Sequence, residues 1–247
     1  MRRTQATGQP LAGSDLYDDL VFFARYQQMR DAGAGLNEAL EQPAFRRLLP
    51  RVQDADVVEL GCGDGALARR LAGAGARSVL AVDAARRMLD RAMRVPDPRV
   101  QYLRADIGSL DLPASVTDLV VSSLVLHYVA DYRGLLERVA RWLRPGGHLV
   151  FSVEHPAVTA RLPVPPDGTA GRYDQEGARV QTWFGTALTK YHRRPATLAG
   201  GVLAAGLTLA ALDEPQPAPV AVARRPGLAP YRDRPPLLLI SAVKAVG

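Results

Sequence analysis

Between residues 55 and 155 the sequence alternates short apolar runs with longer amphipathic stretches. The runs, bounded by Gly, Asp or Pro, cover residues 57–60, 79–82, 100–103, 119–123 and 148–153, and the stretches between them include 66–74, 86–94 and 135–143. Short apolar runs predict buried strands, and the stretches leave room for the crossover helices that parallel strands require. The alternation therefore predicts an α/β fold with a doubly wound, mostly parallel sheet and helices on both faces.

Two further strands are predicted near the C-terminus, at residues 207–212 and 236–243. A Pro-rich loop joins them, and no helical pattern lies between them. Parallel strands need a crossover helix, whereas antiparallel neighbours do not. We therefore expect these two strands to form an antiparallel hairpin at the edge of the sheet.

The charge balance bears on the choice of partner. The 247 residues contain 31 Lys and Arg against 25 Asp and Glu, which gives a net charge of +6 and an isoelectric point near 9.8. A net positive charge of this kind is one indication of nucleic-acid binding. Only Lys190 and Lys244 are lysines, however, so nearly all of the positive charge is arginine. We favour a solvated, arginine-rich surface over a nucleic-acid-binding face.

The sequence also bears on location. The longest apolar run, residues 199–212, contains three glycines and is too short to span a membrane. The N-terminal residues are polar and lack the apolar core of a signal peptide. Cys62 is the single cysteine, which excludes an intramolecular disulfide and favours a reducing compartment. We expect a cytoplasmic protein with no membrane partner.

Residues 57–65 carry the clearest pattern of a ligand site. An apolar run containing Glu59 leads into Gly61, Gly63 and Gly65, and a helical stretch follows. Glycines let the main chain turn sharply beside a ligand, and a helix N-terminus offers free N–H groups. The pattern G-x-G-x-x-A that begins at Gly61 also fits a dinucleotide-binding turn. The turn alone therefore does not choose between NAD and another nucleotide cofactor.

Acidic residues end the next two predicted strands. Asp83 follows the run at 79–82 and could accept hydrogen bonds from ribose hydroxyls, or could cap the helix that begins near Ala85, or both. Asp106 follows the run at 100–103 and could accept a hydrogen bond from an exocyclic amine such as that of adenine, or could cap a loop. Both carboxylates are predicted at the carboxyl edge of the sheet, where ligands bind in open α/β folds.

Taken in order, these motifs and the Leu-Arg-Pro-Gly-Gly-His-Leu run at 143–149 resemble the class I S-adenosylmethionine-dependent methyltransferases over about residues 55–155. The resemblance implies a Rossmann-like, seven-stranded sheet, mostly parallel with an antiparallel terminal strand. It also implies S-adenosyl-L-methionine as the cofactor. The cofactor-binding residues that it implies are Glu59, Gly61, Cys62, Gly63, Gly65, Asp83, Ala84, Met88, Asp106, Ile107, Ser123 and Leu124.

The flanking segments resemble a narrower set of bacterial small-molecule methyltransferases that have a helical N-terminal cap. On that basis we divide the chain into five segments: a flexible tail (1–14), a helical cap (15–50), a cofactor-binding Rossmann-like core (51–155), a substrate-side insertion (156–195), and a C-terminal helix with a β-hairpin that completes the sheet (196–247).

Such a cofactor carries an activated methyl group, so the protein mainly aligns the acceptor and excludes water. His127, just beyond the fourth predicted strand, is the candidate base, or else packs against the cofactor loop. Tyr26 in the cap is a second catalytic candidate, or a core aromatic. Four histidines and one cysteine show no metal-ligand spacing, so no metal is expected. The candidate substrate-binding residues are Glu154, His155, Tyr191 and His192.

Three functions remain open on the sequence. Methyl transfer to a small molecule, at carbon, nitrogen or oxygen and including an aromatic such as an indole, is favoured because the cap and the insertion could enclose a pocket. A nucleic-acid methyltransferase is disfavoured, since the fourth strand ends in Ser122-Ser123-Leu124 instead of the Asn/Asp-Pro-Pro-aromatic motif of enzymes that methylate base amines. An NAD-binding Rossmann-like protein is the third reading, because fold alone does not fix function.

Overall fold

The computed structural model describes residues 13–31 and 35–246, so the predicted flexible tail, residues 1–14, lies outside the described residues except for its last two. The helices are α1 (Gly13–Asp18), α2 (Leu20–Asp31), α3 (Gln42–Leu48), α4 (Ala66–Gly73), α5 (Arg86–Ala92), α6 (Tyr132–Trp142), α7 (Pro156–Thr159), α8 (Pro195–Ala204) and α9 (Pro219–Arg224). A π-helical turn, Asn37–Glu41, leads into α3, and single 3-10 segments cover Leu126–Tyr128 and Pro226–Arg232.

The strands form one large sheet and two hairpins. They are β1 (Asp56–Leu60), β2 (Ser78–Asp83), β3 (Val100–Arg104), β4 (Thr117–Ser123), β5 (Leu143–Glu154), β6 (Pro163–Val164), β7 (Thr169–Ala170), β8 (Gly177–Trp183), β9 (Thr186–His192), β10 (Leu207–Asp213) and β11 (Leu237–Lys244).

The large sheet has seven strands in the order β10-β11-β5-β4-β1-β2-β3. Strand β11 is antiparallel to both of its neighbours, whereas the pairs from β5 to β3 are all parallel. The order reverses after β1, which is the mark of a doubly wound sheet. The predicted fold class, including the antiparallel strand at the C-terminus, is confirmed.

Strand β5 begins earlier than the sequence indicates. Leu143 already pairs with Thr117, and the next pair joins His148 to Leu119, so residues 144–147 form a bulge between the two pairs. Gly146 in this bulge has a φ of +77°, which a residue with a side chain rarely adopts. The Pro-Gly-Gly residues that precede the predicted run at 148–153 therefore lie within the strand.

Each face of the sheet is covered by helices that bury an apolar stripe. On one face α6 places Leu135, Leu136 and Val139 against the sheet, and each is at most 1% exposed. The Asp131 side chain accepts a hydrogen bond from the Gly134 N–H and so caps the first turn of α6. On the other face, α3 and α4 bury their apolar residues against the strands, including Phe45. This packing holds the carboxyl ends of the parallel strands at one edge.

The insertion folds into two hairpins, which the sequence did not specify. Strands β8 and β9 pair in antiparallel register from Gly177 opposite His192 to Trp183 opposite Thr186. Phe184 and Gly185 form the connecting turn, with φ values of +51° and +87°. A small aromatic and aliphatic cluster joins this hairpin to α1 and α2, and its members are Leu16, Tyr17, Phe22, Tyr26, Tyr128, Trp183, Phe184 and Leu188. The cap and the hairpin therefore meet over the carboxyl edge of the sheet.

Candidate functional site

The three glycines of the turn after β1 differ in the space that surrounds them. Gly61, Gly63 and Gly65 all have φ between +54° and +74°. A Cβ atom on Gly61 would lie 2.2 Å from Val125 Cγ2, and one on Gly65 would lie 2.3 Å from the Tyr102 hydroxyl. A Cβ on Gly63 would meet nothing within 4 Å. Packing therefore demands glycine at the outer two positions, whereas Gly63 faces open space.

Asp83, the last residue of β2, holds the glycine turn. Its Oδ2 accepts a hydrogen bond from the Gly63 N–H at 2.8 Å, and its Oδ1 accepts one from the Ala85 N–H at 2.8 Å. Burial raises the pKa of the Asp83 carboxyl, and the two N–H donors oppose that shift. The side chain therefore stabilises both the turn and the start of α5, and it still borders the cavity described next.

A cavity of about 500 Å³ lies at the carboxyl edge of the sheet. Residues from the turns after β1 to β4, from β5, from the cap and from the β8–β9 hairpin line it. The sequence-predicted residues among them are Tyr26, Gly61, Gly63, Asp83, Ala84, Met88, Asp106, Ile107, Ser123, Leu124, His127 and Glu154. Lining residues that the sequence did not single out are Tyr17, Met29, Arg30, Asn37, Gly108, Val125, Tyr128, Val129, Ala130, Asp131 and Trp183.

A smaller cavity of about 80 Å³ adjoins the first and is lined by Glu59 and Cys62. Glu59 is buried, and its Oε2 has no hydrogen-bond partner among the described residues. Burial, followed by the nearby Asp83 carboxylate, raises the pKa of Glu59 to about 8. Burial also raises the pKa of the Cys62 thiol, so this cysteine has no thiolate character at neutral pH. Gly65 lines neither cavity and packs against Tyr102.

Leu124, directly after β4, is held in a left-handed conformation with φ of +58°. Its N–H donates to Ser152 Oγ at 2.9 Å, and Ser152 Oγ lies 2.9 Å from Glu41 Oε1. Ser123 donates to the same Glu41 oxygen at 2.6 Å. Glu41 is wholly buried, and burial raises its pKa while the three side chains that hydrogen-bond to it, including Gln42, lower it. A residue just before α3 thus fixes the end of β4, and sequence patterning did not reveal it.

His127 is buried beside the cavity. Its Nδ1 accepts a hydrogen bond from the Glu154 N–H at 3.3 Å. Burial holds the pKa of His127 well below its usual value, and the Lys190 and Arg193 cations add to that shift. The imidazole is therefore neutral, and because Nδ1 is an acceptor, Nε2 carries the proton. In this arrangement His127 offers the cavity a hydrogen-bond donor, not the free basic nitrogen that the sequence-based candidate base requires.

Glu154 ends β5 and forms a buried ion pair with Lys190 of β9. Lys190 Nζ donates to Glu154 Oε1, while Glu154 Oε2 has no partner among the described residues. The Lys190 side chain is 1% exposed, and burial lowers its pKa although Glu154 raises it. Its Nζ also lies 5.5 Å from the centre of the Tyr128 ring. Lys190 escapes detection in the sequence because its partner is 36 residues away.

Aromatic side chains from the cap and the hairpin close one side of the cavity. Tyr26 packs edge-to-face on Tyr17, with ring centres 5.0 Å apart, and on Trp183, with centres 5.7 Å apart. Burial raises the pKa of both tyrosine hydroxyls, so each stays protonated. Tyr26 is thus both a cavity residue and part of an aromatic cluster, and its catalytic role stays a prediction.

Three of the predicted substrate residues do not line the cavity within the described structure. His155 caps α7 through its Nδ1, and its Nε2 lies 2.8 Å from Glu214 Oε1. His192 Nδ1 lies 2.9 Å from Thr159 Oγ1, and its Nε2 lies 3.0 Å from the Tyr173 carbonyl oxygen. Tyr191 stacks on the Arg193 guanidinium. The two histidines thus tie the insertion to its neighbours.

Two kinds of feature are absent from the described part of the chain. No helix in it combines the length and the apolar character of a membrane span. No three of its His, Cys, Asp or Glu side chains gather as metal ligands would.

The residues present fit S-adenosylmethionine. Asp83 and Asp106 supply acceptors for hydroxyl and amine groups at the edge of β2 and β3, and the space in front of Gly63 admits a ligand against the main chain. The Oε2 of Glu59 beside the smaller cavity has no partner among the described residues, so a bound group that donates a hydrogen bond would satisfy it. This donor set on a sheet of this order defines the class I S-adenosylmethionine-dependent methyltransferases.

Comparison with known proteins agrees with that class. Residues 58–151 match a family model described as a methyltransferase domain. A crystal structure of an S-adenosylmethionine-dependent methyltransferase from Mesorhizobium loti is 39% identical, covers 85% of this chain and 100% of its own, and superposes with a TM-score of 0.77. An uncharacterised protein of Haemophilus influenzae is 30% identical over 93% of this chain and 96% of its own length. The chain belongs to the S-adenosylmethionine-dependent methyltransferase family.

A more distant structure shares the fold. The 1,6-didemethyltoxoflavin-N1-methyltransferase of Burkholderia thailandensis, solved with 1,6-didemethyltoxoflavin and S-adenosylhomocysteine, is 20% identical and has a TM-score of 0.59. It covers 99% of this chain and 98% of its own. The two proteins therefore share the fold.

Proposed function

We propose that this protein transfers a methyl group from S-adenosylmethionine to a small molecule that binds in the 500 Å³ cavity. The observation that carries the proposal is the make-up of that cavity: one part is lined by the turns after β1, β2 and β3, and another by the cap, the hairpin and the end of β5. A volume of this size suits a cofactor and a small acceptor together.

The cofactor would be held by the residues at the carboxyl edge. Asp83 would accept hydrogen bonds from the ribose hydroxyls, Asp106 and the Ile107 N–H would meet the adenine edge, and Glu59 would face the charged amino-acid end. When bound, S-adenosylmethionine supplies an electrophilic methyl group on a sulfonium. The Burkholderia enzyme, which has the same fold and was solved with S-adenosylhomocysteine, supports the choice of cofactor.

The protein's own contribution would be to align the acceptor and exclude water. Tyr26 and Trp183 close the cavity on the side of the cap and the hairpin, while His127 and Glu154 offer polar groups from the core. A neutral His127 with its proton on Nε2 would orient an acceptor by donating a hydrogen bond. Carbon, nitrogen and oxygen acceptors, an aromatic ring among them, are all compatible with this role.

Calorimetric titration with S-adenosylhomocysteine and with NAD tests the proposal. We expect S-adenosylhomocysteine to bind and NAD not to, and the reverse result would support the dinucleotide-binding alternative. A nucleic-acid substrate is tested by incubation with labelled cofactor and total RNA or DNA, where we expect no transfer. The cytoplasmic location stays a prediction that rests on the sequence.

A further inference from the structure

The chemistry of the acceptor can be inferred from one part of the cavity, which we call the acceptor pocket and define by Tyr17, Tyr26, His127, Glu154 and Trp183. Its aromatic rings stand nearly perpendicular to one another, with interplanar angles of 80° between Tyr17 and Tyr26 and 88° between Tyr26 and Trp183. Flat faces and edges of this kind favour a planar, unsaturated guest, since such rings gain both stacked and edge-to-face contacts.

The charged side chains around the acceptor pocket already have partners within the protein. Lys190 is paired with Glu154, and the hydrogen-bond donors of the Arg193 guanidinium are taken by the Val129 and Ala130 carbonyl oxygens while its face stacks on the Tyr132 ring. An anionic acceptor would approach the Glu154 carboxylate, and a cationic one would approach the Lys190 ammonium just behind it. Neither ion gains an unpaired counter-charge from Glu154 or Lys190, so this ion pair favours a neutral guest.

The polar groups of the pocket are one hydrogen-bond donor and one acceptor, supplied by two residues that contact each other. Glu154 supplies a carboxylate, and its own N–H fixes the His127 ring, which leaves the Nε2–H of that ring as a donor. The two residues are therefore held together by a direct hydrogen bond. A ring edge that presents an N–H next to a carbonyl or imine acceptor would match both groups at once.

We propose that the methyl acceptor is a neutral, planar heteroaromatic molecule whose ring edge donates an N–H to Glu154 and accepts a hydrogen bond from His127. This inference rests on the proposed function, since it concerns the second ligand of the same cavity. Lys190 is then a positioning residue: it holds the Glu154 carboxylate and does not itself contact the acceptor.

Isoquinolone is a suitable probe because it is a neutral bicyclic lactam with an N–H beside a carbonyl. N-methylisoquinolone lacks the N–H, and naphthoate replaces the lactam edge by an anion. In titrations of the protein saturated with S-adenosylhomocysteine, we expect isoquinolone to bind about tenfold or more tightly than either analogue, which is the size of effect that a hydrogen bond to a charged group produces. Equal binding of isoquinolone and its N-methyl form, or tighter binding of naphthoate, would overturn the proposal.

Variants show which residue distinguishes isoquinolone from N-methylisoquinolone. Glu154→Leu should bring the affinities for isoquinolone and N-methylisoquinolone within about twofold of each other, whereas Glu137→Leu, an exposed change on α6, should keep the wild-type ratio. Lys190→Met should reduce the ratio without abolishing it, because the carboxylate remains. A wild-type ratio in Glu154→Leu would contradict the proposal. The probe comparison on the unaltered protein stands even if a variant does not fold.

The two proposals fail separately in this design. If S-adenosylhomocysteine does not bind, the proposed function is wrong, and the same probes titrated into the free protein still test the acceptor pocket. If S-adenosylhomocysteine binds and the probes are not discriminated, methyl transfer stands and the heteroaromatic acceptor is wrong.

Discussion

Ser123 at the end of β4 donates a hydrogen bond to Glu41 at 2.6 Å, although the two residues are 82 positions apart in the chain. The same carboxylate oxygen is 2.9 Å from Ser152 Oγ, which in turn accepts from the Leu124 N–H. Val125 follows and contacts Gly61 of the cofactor turn. The Glu41 carboxylate, buried in the segment that leads into α3, therefore holds the end of β4 in the position where it lines the cavity.

Replacing Glu41 by Ala should weaken the site and the fold together. We expect a loss of about 1–3 kcal/mol in the free energy of unfolding, because two buried hydroxyls lose their acceptor, and a several-fold loss of affinity for S-adenosylhomocysteine. Glu41→Gln keeps an acceptor oxygen and should recover much of both. Denaturant unfolding and calorimetry measure the two effects. Arg47→Ala, which breaks an exposed ion pair on α3, is the control and should change neither. If Glu41→Ala kept the wild-type affinity, Glu41 would stabilise the fold without shaping the cofactor site.

Asp83→Ala should reduce affinity for S-adenosylhomocysteine about tenfold or more. The variant loses a carboxylate acceptor, and hydrogen bonds to charged groups contribute about 1.5–3 kcal/mol. It also releases the Gly63 N–H, so a small loss of thermal stability should accompany the change. Asp90→Ala alters an exposed carboxylate within the following helix, α5, and should bind like the wild type. Undiminished binding by Asp83→Ala would exclude the ribose role.

Ala substitutions at Gly63 and Gly65 should separate binding from stability. Gly63→Ala places a methyl group in open space, so we expect strain of only about 1–2 kcal/mol from its positive φ, together with marked loss of cofactor affinity. Gly65→Ala forces the new methyl group against Tyr102 and should destabilise the fold more. Thermal unfolding and calorimetry on both variants make the comparison. If Gly63→Ala lost more stability than Gly65→Ala, the packing described for the glycine turn would be wrong.

His127 should make the protein less stable in mild acid. Its pKa in the folded state lies well below the value of about 6.5 expected for the unfolded chain, so the unfolded state binds more protons as the pH falls below that value. The resulting stability is present above pH about 6.5 and is lost progressively toward the lower folded-state pKa. His148 and His192, whose pKa values are also lowered by burial, act in the same direction.

We therefore expect His127→Asn to lose less free energy of unfolding than the wild type when the pH is lowered from about 7 to about 5. Urea unfolding at both pH values measures the difference. A variant with the same pH dependence as the wild type would show that His127 is not the neutral, buried group that the structure places beside Glu154.

The sheet and the cofactor turn could be predicted from the sequence because their determinants are local. Short apolar runs and glycines at Gly61, Gly63 and Gly65 specify strands and a turn without reference to distant residues. Asp83 was assigned two compatible roles, and in the structure it caps a turn and borders the cavity at once.

The acceptor side was less predictable because long-range contacts create it. His155 and His192 were grouped with Glu154 because the three flank or end the predicted insertion, yet each histidine is held by partners in other elements. On β9 the alternation of a strand buries Lys190 and His192 and turns Tyr191 the other way. Only the paired hairpin shows that Lys190, and not Tyr191, meets Glu154.

The aromatic contact between the cap and the β8–β9 hairpin has a consequence for how such a protein diversifies. Tyr26 and Trp183 belong to segments outside the seven-stranded sheet, whereas the cofactor turn and Asp83 belong to the sheet itself. Helix α2 reaches both sides of the cavity, because Gln27 also contacts Met88 beside the cofactor turn, whereas Trp183 of the hairpin lies away from Gly61 and Gly63 in the chain and in the sheet. We therefore expect sequence changes in the hairpin to alter the choice of acceptor with little effect on cofactor affinity.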